Sequence, residues 1–195
     1  MKIENAQVFG FDAAVRAMRN PMNSWDKSDT PVGSQVMGEV DSKLAIKLIL
    51  AGKDHRKFLR CIHIQVDLTL PRYIWTELDT YKIATTRVSC STMHKLGSVD
   101  LDASDFQDGV FEQATVDKIN HLAAAYRASK NVDTLRAMKQ ILPEGFLQKA
   151  TFDFSYETAM NIYHARKNHR MTEWHTLCDW LETLPMLGEW LKLEN

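Results

Sequence analysis

Between residues 62 and 70 the chain alternates strictly. Ile62, Ile64, Val66, Leu68 and Leu70 are interleaved with His63, Gln65, Asp67 and Thr69. A period of two puts each set on its own face, which predicts a strand buried on one side and polar on the other. Pro71 stops it, because proline has no N–H to give to a ladder. Weaker patterns predict strands over residues 3–9 and 146–154, the latter with Phe146, Gln148, Ala150, Phe152 and Phe154 on one side. Helical spacing governs most of the rest. Residues 11–19 carry Val15 and Met18 on one face. A helix capped by Asp41 or Ser42 runs to Ala51, lined by Leu44, Leu48 and Ala51, broadened by Ile46 and Ile49, and ended by Gly52. Residues 72–79 turn Ile74, Trp75 and Leu78 inward. Residues 116–128 form a stripe of Ile119, Leu122, Ala123 and Tyr126. Asp133 caps residues 134–141, and Leu142-Pro143 closes that helix. Ser155 or Asp153 caps residues 156–166. Residues 171–184 are amphipathic through Trp174, Leu177, Cys178 and Leu181. After Pro185 comes a tail bearing Trp190, which packs either on its own chain or on a neighbouring one.

Three connections stand out. Residues 20–33 (NPMNSWDKSDTPVG) are turn-rich, and their length suggests either a surface loop pinned by Trp25 or a functional one using Ser24 and Trp25. Residues 55–60 (HRKFLR) read as a basic, solvated connection. Residues 97–108 read as an acidic loop, either solvated or acting as a lid or partner surface. Glu77 and Asp79 lie close in sequence to Lys82, which suggests local ion pairing.

The chain of 195 residues is long enough for one domain with a real core, and no boundary or repeat divides residues 1–195. Hydrophobic residues make up 45% and charged residues 25%, ordinary for a soluble globular protein. A net charge of −1 supplies no global field toward nucleic acid or an anionic membrane. No apolar run reaches the length of a membrane helix, and Met1-Lys2-Ile3-Glu4 opens into a strand pattern rather than a secretory signal. Cys61, Cys90 and Cys178 are odd in number and widely spaced, which fits neither a disulfide framework nor a zinc site. The expectation is a reducing, cytoplasmic location. His164, His169 and His175 do not share a helix face, so no metal is expected.

Ser89, Cys90, Ser91 and Thr92 form a hydroxyl-rich run that is poor core material. It either presents donors to an anion or caps its own backbone. Cys90, with Lys82, Arg87 and His94 near in sequence, is a conceivable nucleophile, although a free cysteine is more often a small hydrophobe.

Residues 68–96 also resemble the flavin-dependent thymidylate synthase (ThyX) family. Its pattern there is a strand, a proline, a Gln, an Arg-His-Arg triplet, a Ser, then Asn-Glu-x-Ser-x-Arg-Tyr. Pro71 falls on the proline and Glu77 on the Gln. Thr80, Tyr81 and Lys82 fall on the triplet, and Thr85 on the Ser. Arg87 and Val88 fall on Asn-Glu, Cys90 on the next Ser, and Thr92 and Met93 on Arg-Tyr. Gly52, His55 and Phe58 echo a flavin-contacting Gly-His-x-Ser/Thr-x-Phe segment. Lys139 stands where an Ala-Arg-x-Val-Leu-Pro segment has its substrate arginine. Ser155, Glu157, Asn161 and Arg166 fall on the helix pattern Asn-x-Arg, Asn, Leu-Arg, so Glu157 inverts a charge.

The resemblance implies an α+β fold with a central, mostly antiparallel sheet flanked by helices and a helical C-terminal half. It implies FAD, a pyrimidine nucleotide such as dUMP, a folate, and a homotetramer with shared sites. In that family reduced flavin supplies hydride while a methylene group passes from methylenetetrahydrofolate to dUMP, with no protein nucleophile. Divergent members are often carried by bacteriophages. The implied substrate residues are Glu77, Thr85, Arg87, Cys90, Ser91, Thr92, Lys139 and Arg166, with Arg87 compensating for missing arginines. The implied flavin residues are His55, Lys82, Ile83, Ser155 and Asn161. A non-catalytic nucleotide-binding or assembly protein on the same fold is the alternative.

Overall fold

In the computed structural model, which describes residues 1–193, the three alternating segments form β1 (Lys2–Phe9), β2 (His63–Pro71) and β4 (Leu147–Ser155). A fourth strand, β3 (Thr85–Ser89), leads into the hydroxyl-rich run and has no clear period of its own. The four form one antiparallel sheet in the order β1-β2-β4-β3. Ile64, Val66, Leu68 and Leu70 of β2 are all buried, as their alternation requires. Nine α-helices accompany the sheet among the described residues: α1 (Phe11–Arg19), α2 (Glu39–Leu50), α3 (Arg72–Leu78), α4 (Thr92–Lys95), α5 (Gln113–Ser129), α6 (Val132–Ile141), α7 (Tyr156–Arg166), α8 (Thr172–Glu182) and α9 (Leu187–Trp190). The α+β class and the sheet-with-helices architecture are as expected. Among the described residues, no helix is long and apolar enough to cross a membrane.

The residues group into two compact units. The first comprises residues 1–4, 67–80 and 87–151, and the second residues 5–66, 81–86 and those from 152 onward. In the first, Val116, Ile119 and Ala123 of α5 meet Leu135 and Met138 of α6. The supposedly solvated loop at residues 97–108 contributes Leu101 and Phe106 to this core. Asn120 clamps the loop, its Oδ1 accepting from the Leu101 amide at 2.8 Å and its Nδ2 donating to the Leu101 carbonyl at 2.9 Å. Asn131, not Asp133, caps α6, accepting from the Asp133 amide at 2.7 Å. Asp133 is thereby left in the first turn, where a carboxylate complements the helix dipole.

In the second unit, Gly10 joins β1 to α1 at φ 99, and a Cβ there would stand 2.0 Å from the Cys61 carbonyl oxygen. Only glycine fits. The C-terminal tail packs on its own chain: Trp190 is fully buried, edge-on to Phe58 and Tyr156. The Tyr156 hydroxyl donates to the Pro185 carbonyl at 2.8 Å, and burial pushes its pKa up.

Helix α2 departs most from its pattern. Its fully buried positions are Asp41, Ala45 and Ile49, while Leu44 and Leu48 are half-buried. Asp41 is not the cap. Its carboxylate pairs with Arg19 of α1 at 2.6 Å and accepts from the Ser28 and Thr30 hydroxyls, both at 2.7 Å. It also accepts from the amides of Asp29 and Thr30, at 3.3 and 3.2 Å. Asp29 reciprocates, its carboxylate accepting from the amides of Val40 and Asp41 at the start of α2. The loop at residues 20–33 is therefore pinned by Asp41. Trp25 is half-exposed, and its indole N–H donates to the Asn20 side chain at 2.9 Å.

Burial alone would raise the Asp41 pKa. Hydrogen bonds from Thr30, Ser28 and Arg19, with the charge of Arg19, more than offset this and hold it below the ordinary value. A depressed carboxylate stabilises the fold above its unfolded pKa and loses that contribution as pH falls through the folded one. Asp41→Ala should destabilise the protein by about 3–5 kcal/mol in chemical denaturation at neutral pH, as expected for an orphaned buried guanidinium. The gap between wild type and Asp41→Asn should narrow as pH drops below about 4. A gap unchanged down to acid unfolding would remove Asp41 as the ionised anchor.

Candidate functional site

In the first unit, β3 runs into the turn Cys90-Ser91 and then α4. The Cys90 amide donates to the Lys149 carbonyl, and Gln148 Nε2 donates to the Cys90 carbonyl, both at 2.8 Å. The turn is thus tied to the start of β4. Cys90, Ser91 and Thr92 line a pocket of about 150 Å³ with Lys95, Phe146 and Lys149. Cys90 is exposed and Ser91 precedes α4 without capping it through its hydroxyl. Lys149 is held by Asp67 and Glu4, at 3.3 and 3.4 Å, and its pKa is raised chiefly by the hydrogen bond it donates to Asp67.

Arg87 lies over the Trp75 ring at 4.1 Å, pairs with Asp79 at 2.5 Å and donates to Gln148 Oε1 at 3.0 Å. The expected pairing of Asp79 with Lys82 gives way to this one, because β3 carries Arg87 back beside α3. Its guanidinium is stacked and charge-neutralised, so it braces β3, α3 and β4 together. Glu77 is half-buried on α3. Lys139 is exposed on α6, one face of which forms a cleft of about 370 Å³ with Met93 of α4. Two positions carried by the family resemblance and distant in sequence, Met93 and Lys139, therefore share one cleft.

In the second unit, residues 81–84 lead through a turn into β3 and are held from α7. Thr158 Oγ1 donates to the Ile83 carbonyl, and Thr85 Oγ1 donates to the Tyr81 carbonyl, both at 2.8 Å. Ala84 has φ 52, a left-handed conformation that costs an alanine about 1–2 kcal/mol. The turn leaves Lys82 exposed and Ile83 63% exposed. Arg166 lies 4.6 Å above the Trp174 ring and donates to the Tyr81 hydroxyl at 3.2 Å. His55 is exposed and so is Asn161, whose Oδ1 accepts from Arg56 at 3.4 Å. Ser155 is buried and its hydroxyl caps α7, accepting from the Thr158 amide at 3.3 Å.

Glu157, the charge inversion, is buried and gripped by Arg60 through two contacts, 2.5 and 3.3 Å. The basic connection at residues 55–60 is also not simply solvated. It becomes a 3-10 helix from Arg56 to Cys61 with Arg56, Phe58 and Leu59 buried. Neither Arg56 nor the Arg60–Glu157 pair was apparent in the sequence. The only signal was a lone acidic residue in the first turn of α7. Cys178 is buried in α8, which pushes its thiol up to about 12. His175 Nε2 lies 2.6 Å from the His169 carbonyl oxygen, and among the described residues no His, Cys, Asp or Glu group is arranged to hold a metal ion.

No protein-family model matches the chain. No curated protein matches it in sequence. Solved structures do match in shape. One is flavin-dependent thymidylate synthase ThyX from Helicobacter pylori complexed with FAD and dUMP, with a TM-score of 0.73 and 17% identity, covering 99% of this chain and 97% of that one. Another structure of the same protein with FAD and dUMP gives 0.75 and 17% identity, with full coverage of both chains. The class defined here is the α+β fold of flavin-dependent thymidylate synthases. This chain has that fold over its whole length.

The Arg60–Glu157 pair is asymmetric: the acid is buried and the arginine about half-exposed. Arg60→Ala should therefore lower the melting temperature more than the double change Arg60→Met with Glu157→Leu, which removes both charges. Equal losses from the two would mean that the ion pair is not what keeps Glu157 buried.

Proposed function

We propose that the protein binds FAD and a pyrimidine nucleotide of the dUMP type and carries out reductive methylation of the base with a folate donor, as a homotetramer. The observation that carries this reading is the shared cleft of Met93 and Lys139 on a fold whose solved examples include structures holding FAD and dUMP. Cys90, Ser91 and Thr92 beside it offer hydroxyl, thiol and backbone groups for a nucleotide. Glu77 and Arg87 would support them from α3 and β3.

A flavin dinucleotide needs cations or amides for its pyrophosphate and an apolar surface for its ring. The second unit's residues fit. Ile83 is an exposed apolar side chain next to an exposed cation, Lys82, on a strained turn, and such strain is concentrated at ligand sites. His55 and Asn161 add exposed polar groups. Thr85 and the buried Ser155 act behind them, Thr85 holding the turn and Ser155 starting α7. When bound and reduced, FAD would supply the hydride. Arg60 neutralises Glu157, so the inverted charge presents no bare carboxylate to a ligand phosphate.

Arg166 is oriented by Trp174 and Tyr81 and is the arginine this reading assigns to nucleotide. Arg166→Ala should weaken dUMP binding at least tenfold in calorimetry, the worth of about 1.5–3 kcal/mol for a charge-assisted hydrogen bond. An unchanged dUMP affinity would remove Arg166 from the site. No dUMP binding by the unaltered protein would defeat the proposed activity.

A further inference from the structure

The cleft on α6 holds a residue that the family resemblance does not assign. Arg136 sits one turn before Lys139, and both line the same space of about 370 Å³ with Met93, Val132, Leu135 and Gln140. Residues three apart on a helix share a face. The cleft is therefore apolar along Met93, Val132 and Leu135, with two cations side by side. Leu135 is buried, while Met93 is 48% and Val132 63% exposed, so apolar surface is open to a ligand. Lys139 brings one charge but not the planar, two-pronged donor set that grips a phosphate. Arg136 brings that set.

We propose that Arg136 is a phosphate-binding residue of this cleft, gripping the 5′-phosphate of the nucleotide bidentately beside Lys139, with the base and sugar against Met93, Val132 and Leu135. This rests on the proposed nucleotide binding and names a residue that sets its affinity. Arg136 is held meanwhile by Asp133, one Nη donating to its carboxylate at 2.7 Å. Both partners are largely exposed, 66% and 79%. An exposed pair of this kind is weak and readily exchanged for a doubly charged phosphate. Asp133 occupies that position because Asn131 takes over the capping of α6. The carboxylate thus competes with the ligand for the guanidinium.

The two residues should respond in opposite directions. Calorimetric titration of the full-length protein with dUMP and with deoxyuridine, which lacks the phosphate, tests this. Arg136→Gln should weaken dUMP roughly tenfold and leave deoxyuridine unchanged. Arg136→Lys should recover only part of the loss, and Asp133→Asn should tighten dUMP. Arg127→Gln, which removes a charge of the same sign from α5, should change neither. If the unaltered protein binds dUMP and Arg136→Gln binds it equally well, the assignment of Arg136 is overturned while the nucleotide reading stands. If Arg127→Gln weakens dUMP as much as Arg136→Gln, the effect is one of net charge and the assignment is overturned as well. If the unaltered protein binds no dUMP, both fall.

Discussion

An ionised carboxylate with no solvent exposure must find its solvation inside the protein. Asp41 does so by collecting the Arg19 guanidinium, two hydroxyls and two amides. That requirement fixes the angle between α1 and α2 and draws the intervening loop onto them. Glu157 imposes the same demand at the start of α7, and Arg60 meets it. In both places the cost of burying a charge is offset by one arginine in good geometry, and removing either partner leaves the other stranded. The second unit is thus organised by two buried acids as much as by its apolar core.

This constraint bears on function. Where the chain departs from the thymidylate synthase pattern, the altered charges are satisfied locally. Glu157 is neutralised by Arg60, and Arg87 is stacked on Trp75 and paired with Asp79. Arg87 was the expected replacement for lost arginines, but its charge is engaged in bracing β3. Exposed cations remain elsewhere, among them Lys82 in the turn before β3 and Arg136 and Lys139 on α6.

Much of the fold could be read from periodicity. The alternation from Ile62 to Leu70 specified β2 and its buried face, and the spacing of Ile119 and Ala123 specified α5. Alternation is a local property and survives any tertiary context that buries one face. What escaped the sequence was the choice of partners. Asp41 and Asp133 were the expected caps, but Asp41 is buried against Arg19 and Asn131 caps α6. Arg56 looked solvated because neighbouring cations hid the apolar spacing of Phe58 and Leu59. The family resemblance supplied Lys139 as a substrate position and placed Met93 only as a match to its Arg-Tyr pair. That they share a cleft, and that Arg136 joins them, follows from the packing of α4 on α6.

The most direct test of the central claim is the visible absorption spectrum of the purified protein after incubation with FAD and removal of the excess by gel filtration. The flavin band should stay with the protein and elute at the size of a tetramer. A colourless protein that retains no flavin would contradict it, leaving a thymidylate synthase fold that serves another purpose.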